Sequence, residues 1–220
     1  MKGKLLIIFK SSHGYVKRYV DILGNALGCD AVPVEKLKPY MLSGYDKYLY
    51  IGSLRGGVIQ DFKKMNDYLD AIYEKLAVCA VGFTPFSKER CDAIKDATVS
   101  VSYEKFLPLF YAQGGFDMEE LTRTEKMQVA MAVRQIKSSS VISEAGTAMI
   151  NAVTTPLDEV RPVHIQPLID YLEGRTVDET LYSPAEISDP EERKKYFEEL
   201  EAAAKAPDNK KKALKKKLKG

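Results

Sequence analysis

The sequence predicts an α/β fold: a parallel β-sheet with helices on both faces. Three observations predict it. Short, unbroken apolar runs alternate with stretches whose apolar residues recur at helical spacing, the rhythm of right-handed strand–helix crossovers. The runs do not alternate residue by residue with polar side chains, so both of their faces are buried, as in a parallel sheet. The residues directly after several runs are rich in Gly, Ser and Thr, where an open sheet of this kind gathers its ligand loops.

The elements follow in order. Residues 4–9 are a continuous apolar run closed by Lys10-Ser11-Ser12-His13-Gly14, the pattern of a buried strand. Residues 15–27 set Val16, Tyr19, Val20, Leu23 and Leu27 at helical spacing, and Gly28 is a natural stop. A weaker strand spans 30–34, and a third spans 45–51 and ends at Gly52-Ser53. Residues 60–76 place Phe62, Met65, Leu69, Ile72 and Leu76 on one helical face. The fourth strand, 77–83, runs into Thr84-Pro85, and a short helix covers 87–97. The fifth strand, 106–112, stops at Gln113-Gly114-Gly115. An amphipathic helix follows over 122–137, with Thr124 as its cap. Residues 138–163, rich in Ser, Thr and small side chains, have no decisive period. Residues 164–172 read as the closing helix, which Gly174 ends. Ser183-Pro184 and Asp189-Pro190 each join a capping residue to a proline at the first helical position, so both read as helix starts. The second leads a charged helix to about residue 205. The expected organisation is one α/β domain over 1–174, a helical extension over 175–205 and a basic, disordered tail over 206–220.

Composition bounds the function classes. The chain has 220 residues and 45% apolar side chains, enough for a sizeable core. No apolar run approaches the ~20 residues of a membrane-spanning helix. The first apolar run is too short for a secretory leader and has no small-residue cleavage site. Cys29, Cys79 and Cys91 are scattered, with no Cys-x-x-Cys, so a disulfide scaffold and a cysteine zinc finger are excluded. Buried thiols in a reducing, cytoplasmic compartment are expected. His13 and His164 form no local metal-ligand pair, and no metal site is expected. The net charge of +2 hides an asymmetry. The last sixteen residues hold eight lysines and one aspartate, so the first 204 carry −5. A basic pI is therefore no argument for specific nucleic-acid binding by the body. The tail has two readings: a solvated solubility segment, or a weak contact with an anionic membrane, for which Leu214 and Leu218 lie one turn apart.

Ligands of an open α/β sheet sit beyond the carboxyl ends of its strands. Ser11-Ser12-His13-Gly14-Tyr15-Val16 after the first strand is a hydroxyl-rich loop running into a helix, where free N–H groups and the helix dipole suit a phosphate. An ordinary serine cap is the alternative reading. His13 reads as a loop donor. Lys17 and Arg18 oppose the helix dipole in the first turn, by about 0.3–1 kcal/mol each, a sign that a bound dianion reverses. Gly52-Ser53-Leu54-Arg55-Gly56-Gly57 after the third strand reads as a flexible cradle for a flat ligand. Gly82-Phe83-Thr84-Pro85-Phe86 and Gln113-Gly114-Gly115-Phe116 complete a set of four loops that argues for one shared site. The loops lack the acidic pair and the later aspartate of a phosphate-accepting receiver domain, and neither G-x-x-x-x-G-K-[ST] nor G-x-G-x-x-G follows the first strand.

Leu5-Leu6-Ile7-Ile8-Phe9 with the first loop resembles the phosphate-loop region of flavodoxin-like proteins. Gly52 to Gly57 resembles the second flavin loop of the branch that includes menaquinone-dependent protoporphyrinogen oxidase, and Gly114-Gly115-Phe116-Asp117 before a helix is similar to that branch. The resemblance covers roughly residues 1–174. It implies a flavodoxin-like three-layer sandwich with five parallel strands in the order 2-1-3-4-5, and FMN as cofactor. Ser11, Ser12, Gly14, Tyr15 and Val16 then surround the phosphate, while Ser53, Leu54, Arg55, Gly56 and Gly57, with Phe83, Thr84 and Pro85, flank the isoalloxazine. Two positions depart from the pattern: Val16 replaces a terminal Thr or Ser, and glycine stands at 56 where a stacking aromatic is expected, leaving Phe83, Phe86 or Phe116 to stack. The function implied is FMN-dependent electron transfer or a small flavin oxidoreductase, with a redox protein, a quinone or another small molecule as partner. No catalytic residue is singled out. The alternative is a flavin-free binding or scaffold module that uses the same cleft.

Overall fold

A computed structural model describes residues 3–100 and 102–205. Its strands are β1 (Leu5–Lys10), β2 (Asp30–Pro33), β3 (Lys47–Arg55), β4 (Val58–Ile59), β5 (Leu76–Gly82), β6 (Leu109–Gln113), β7 (Gly115–Phe116) and β8 (Leu157–Asp158). Five of them form a parallel sheet ordered β2-β1-β3-β5-β6. Counting the parallel strands alone, this is 2-1-3-4-5, the flavodoxin-like order. Its helices are α1 (Tyr15–Leu27), α2 (Asn66–Ile72), α3 (Lys88–Thr98), α4 (Arg123–Lys137), α5 (Glu144–Ala152), α6 (Gln166–Leu172) and α7 (Pro190–Lys205).

Successive side chains of a strand point to opposite faces, and both faces are covered. Leu6, Ile8, Tyr48, Tyr50, Val78 and Leu109 pack with Leu69 and Ile72 of α2 and with Cys91 and Ile94 of α3. Ile7, Leu49, Ile51, Cys79 and Phe110 pack with Val16, Tyr19 and Leu23 of α1 and with Leu168 and Leu172 of α6. Ile7 and Leu49, neighbours in register, are fully buried, and each such side chain stabilises the fold by about 1.5–3 kcal/mol.

Several elements differ from expectation. β3 runs four residues past Ile51, then reverses at Gly56-Gly57 and pairs antiparallel with β4. Both glycines have positive φ, 59° and 82°, as the tight hairpin turn that matches strand twist demands. The cradle is thus a structured hairpin. The expected helix over 60–76 is broken into a 3₁₀ turn Phe62–Met65, α2 and a second 3₁₀ turn Tyr73–Lys75. Its apolar face survives, because Phe62, Met65, Leu69 and Ile72 are all buried. The fifth parallel strand begins at Leu109, and Phe106 instead packs against Tyr196 of α7.

Thr122, not Thr124, caps α4: its side chain accepts from the Glu125 N–H while the Glu125 carboxylate accepts from the Thr122 N–H. The aperiodic segment holds α5, capped by Ser143, and β8, which pairs with β7. Ser183-Pro184 starts no helix. Ser183 is buried and exchanges two 2.8 Å backbone bonds with Leu109, which covers the outer edge of β6. Next to it, Tyr182 stacks on Phe110 with centroids 4.5 Å apart and ring planes 1° from parallel. Asp189 caps α7 as expected, accepting from the N–H groups of Glu191 and Glu192 at 2.9 and 3.0 Å. Among the described residues no helix is long and apolar enough to cross a membrane. The basic tail over 206–220 lies outside the described residues.

Candidate functional site

The sheet order sets the carboxyl ends of β1, β3, β5 and β6 side by side. From β1 the chain goes out to β2 on one side and then returns past β1 to β3 on the other, so the connections switch sides there and a crevice opens between the loops after β1 and β3.

The first loop enters α1 through Gly14, which takes a left-handed conformation (φ 82°). Gly14 is the N-cap of α1 and offers no side-chain cap, and Ser11 Oγ, three residues earlier, accepts from the Lys17 N–H of the first turn at 3.3 Å. Ser12 Oγ donates to Gln60 Oε1 at 2.8 Å, tying this loop to the segment after β4. Among the described residues the N–H groups of Ser12, His13, Gly14, Tyr15 and Val16 have no acceptor in the chain. The Val16 side chain is fully buried, so this residue offers the loop its N–H alone. Lys17 pairs with Asp21, and Arg18 Nη1 lies 2.6 Å from Asp158. Both first-turn cations thus answer carboxylates. A shallow cavity beside the loop, between Tyr15 and Leu157, is walled by Arg18 and by Asp117, Glu120 and Asp158. Burial, reinforced by these carboxylates, pushes the Tyr15 hydroxyl up.

In the second loop, Ser53 O accepts from the Gln60 N–H at 2.9 Å, and Leu54 pairs with Ile59. The Arg55 guanidinium reaches across the crevice and donates to the Glu125 carboxylate of α4. His13 Nε2 stands 3.7 Å from the same oxygen, Glu125 Oε1. The other oxygen accepts from the Thr122 N–H at 2.9 Å and the Thr122 hydroxyl at 2.7 Å. The two bonds from Thr122 hold this carboxyl below the usual carboxylate range, and the charges of Arg55 and His13 add to the effect.

The third loop is held from behind. Gln113 Nε2 donates to Phe83 O at 3.1 Å, the Tyr111 hydroxyl to Thr84 O at 2.6 Å, and Arg90 Nη1 to Pro85 O at 2.5 Å and Thr84 Oγ1 at 3.0 Å. Burial pushes the Tyr111 hydroxyl up to about 12, so it stays a donor across the physiological range. The Phe83 and Phe116 rings meet at 5.1 Å, which joins the third and fourth loops.

The structure therefore links the first and second loops through Ser12–Gln60 and His13–Glu125–Arg55, and the third and fourth through Phe83–Phe116. Among the described residues no hydrogen bond, ion pair or ring contact joins the first loop to residues 83–85. Sequence reasoning missed Gln60, Arg90, Tyr111 and Glu125. Thr122-Arg123-Thr124-Glu125 is a readable capping box. The reach of Glu125 to Arg55, seventy residues away, carries no local signal. Among the described residues no cluster of His, Cys, Asp and Glu can hold a metal.

A cradle of free N–H groups at the positive end of α1 fits a phosphate. Among solved structures, a candidate flavoprotein from Bacteroides eggerthii is 13% identical at a TM-score of 0.37, covering 60% of this chain and 97% of its own. A flavodoxin, WrbA-like protein from Agrobacterium tumefaciens is 13% identical at a TM-score of 0.37, covering 74% of this chain and 98% of its own. No curated protein matches the chain. The model of the flavodoxin domain family matches residues 6–141, from the first strand through all four loops and helix α4, and the chain belongs to that family.

Proposed function

We propose that the protein is an FMN-dependent electron carrier or small flavin oxidoreductase, in the branch that resembles menaquinone-dependent protoporphyrinogen oxidase. The first loop carries this reading: five consecutive N–H groups without an acceptor, turned by Gly14 into the positive end of α1. When bound, FMN supplies one- or two-electron transfer. Backbone donors of residues 12–16 would hold its phosphate, with the hydroxyls of Ser11 and Ser12 beside them. The hairpin from Ser53 to Gly57 and the loop from Phe83 to Pro85 would flank its ring. Arg55 brings a fixed positive charge to that flank, which favours negative charge developing there. Glu125 shares the guanidinium and tempers the effect. The electron partner in this reading is a redox protein, a quinone or another small molecule.

Titration of apoprotein with FMN, FAD and riboflavin, followed by flavin fluorescence, tests the assignment. Tighter binding of FMN is expected, and equal affinity for riboflavin and FMN removes the phosphate seat.

One observation favours a flavin-free binding module instead. Glu125 already answers Arg55 and His13, and Ser12 already answers Gln60, so part of the crevice satisfies itself. A purified protein without flavin absorbance that also takes up no FMN decides for this second reading.

A further inference from the structure

Helix α4 is apolar on two opposite faces. Val129, Ala132, Val133 and Ile136 turn inward and are half-buried, with Ile136 against α5 at Gly146. Met127 and Met131, one turn apart on the opposite face, are 61% and 67% exposed. Val141 and Ile142 follow in the turn to α5, and Val141 is 82% exposed. Four of the nine large exposed apolar side chains among the described residues thus fall within sixteen residues of one helical hairpin.

The charge on this hairpin is one-sided. Residues 121–143 hold four cations and a single carboxylate, Glu125, which is turned inward onto Arg55 and Thr122. Arg123 and Arg134 share the helical face of Met127 and Met131, at spacings of four and three to seven residues. Lys137 closes the helix. Among the described residues Arg123, Arg134 and Lys137 have no ionic partner. Glu144, the first carboxylate beyond the tip, opens α5.

We propose that the outer face of the α4–α5 hairpin docks on an anionic lipid surface. Exposed methionines and aliphatic side chains flanked by unpaired cations outnumber the one exposed carboxylate beyond the tip, Glu144, and fit the boundary between acyl chains and anionic headgroups. A second copy of the chain is a poorer occupant, since it brings the same cations against these. The inference does not depend on a bound flavin.

The chain has no tryptophan, so Val141→Trp in the full-length protein gives a single reporter at the tip. Vesicles of equal parts phosphatidylcholine and phosphatidylglycerol are expected to shift its emission to the blue and protect it from acrylamide, while phosphatidylcholine alone does neither. In that background Arg123→Gln and Arg134→Gln each weaken the shift about fivefold in lipid concentration, and Met127→Gln with Met131→Gln abolishes it at an unchanged thermal melt. Co-sedimentation with anionic vesicles without a blue shift means that the lysine tail binds alone, and overturns the proposal. A blue shift that grows with protein concentration in the absence of vesicles means that another copy covers the tip, and overturns it equally.

Discussion

Glu125 is the side chain on which the first and second loops and α4 converge. Its carboxyl is held below the ordinary range by Thr122 first, then by Arg55 and His13. A carboxyl with a lowered folded-state pKa contributes stability above its unfolded value, about 4.3, and loses it as pH falls through the folded value. The tie between α4 and the second loop is therefore complete at neutral pH and released in acid. We expect amide protection factors in the first turns of α4 to fall as pH drops below the ordinary carboxylate range, and Glu125→Gln to show the low values at every pH. Unchanged protection in that variant contradicts the role. The same pair bears on redox chemistry under the proposed function. Arg55→Ala should lower the two-electron flavin potential and Glu125→Gln should raise it. The shift is modest, since an exposed pair worth about 1 kcal/mol corresponds to about 20 mV for two electrons. A potential indifferent to both substitutions places the ring elsewhere. At this scale the first loop is legible in the sequence, because Gly14 and the apolar spacing after it are local signals. Glu125 is not legible as a crevice residue, because that role is a contact across seventy positions.

Elements are legible in proportion to how local their causes are. α1 matches the expected 15–27 because an apolar stripe and a glycine stop specify it, and Gly28 ends it in a left-handed conformation (φ 63°). The stretch over 60–76 shows the right buried face with the wrong continuity. Asp61 takes a left-handed φ of 58°, and tertiary burial of Phe62 and Met65 accepts a 3₁₀ turn where the spacing predicts a regular helix. β8 and the Ser183 bridge are pairings with distant backbone, which no local pattern encodes. Gly56-Gly57 hold positive φ with open space where a Cβ would stand, so the cost of a side chain there is conformational and not steric crowding. Gly57→Val should cost about 1–2 kcal/mol, read as a drop of about 2–8 °C in melting temperature, and should detach Arg55 from Glu125. A melt and an α4 protection pattern equal to the parent's refute the hairpin's part in holding that pair.

Across the whole molecule, the parallel strands follow from the rhythm of apolar runs and their order from the resemblance of the loops to flavodoxin-like proteins, whereas the docking of the extension is not legible. The sequence displays α7 as a charged helix, yet its attachment is aromatic. Phe106 and Tyr196, each 6% exposed, meet edge to face at 5.4 Å, and Tyr73, Tyr103 and Phe197 close around them. Arg193 Nη1 lies 2.7 Å from Glu74, pinning α7 to the turn after α2. Removing a large buried aromatic costs about 3–5 kcal/mol, and edge-to-face pairs add about 0.5–1.5 kcal/mol beyond the area they bury. A chain ended after Ile187 should therefore expose Phe106 and Tyr103 and unfold at clearly lower denaturant, and Tyr196→Ala should reproduce much of that loss. A chain ended after Ala206 removes seven lysines and one aspartate, and it retains every contact named for α7. It should keep the cooperative melt and the FMN titration of the full chain. Equal midpoints for the two truncations would mean that the aromatic cluster contributes nothing, and loss of the melt in the longer one would mean that the lysine tail is structural.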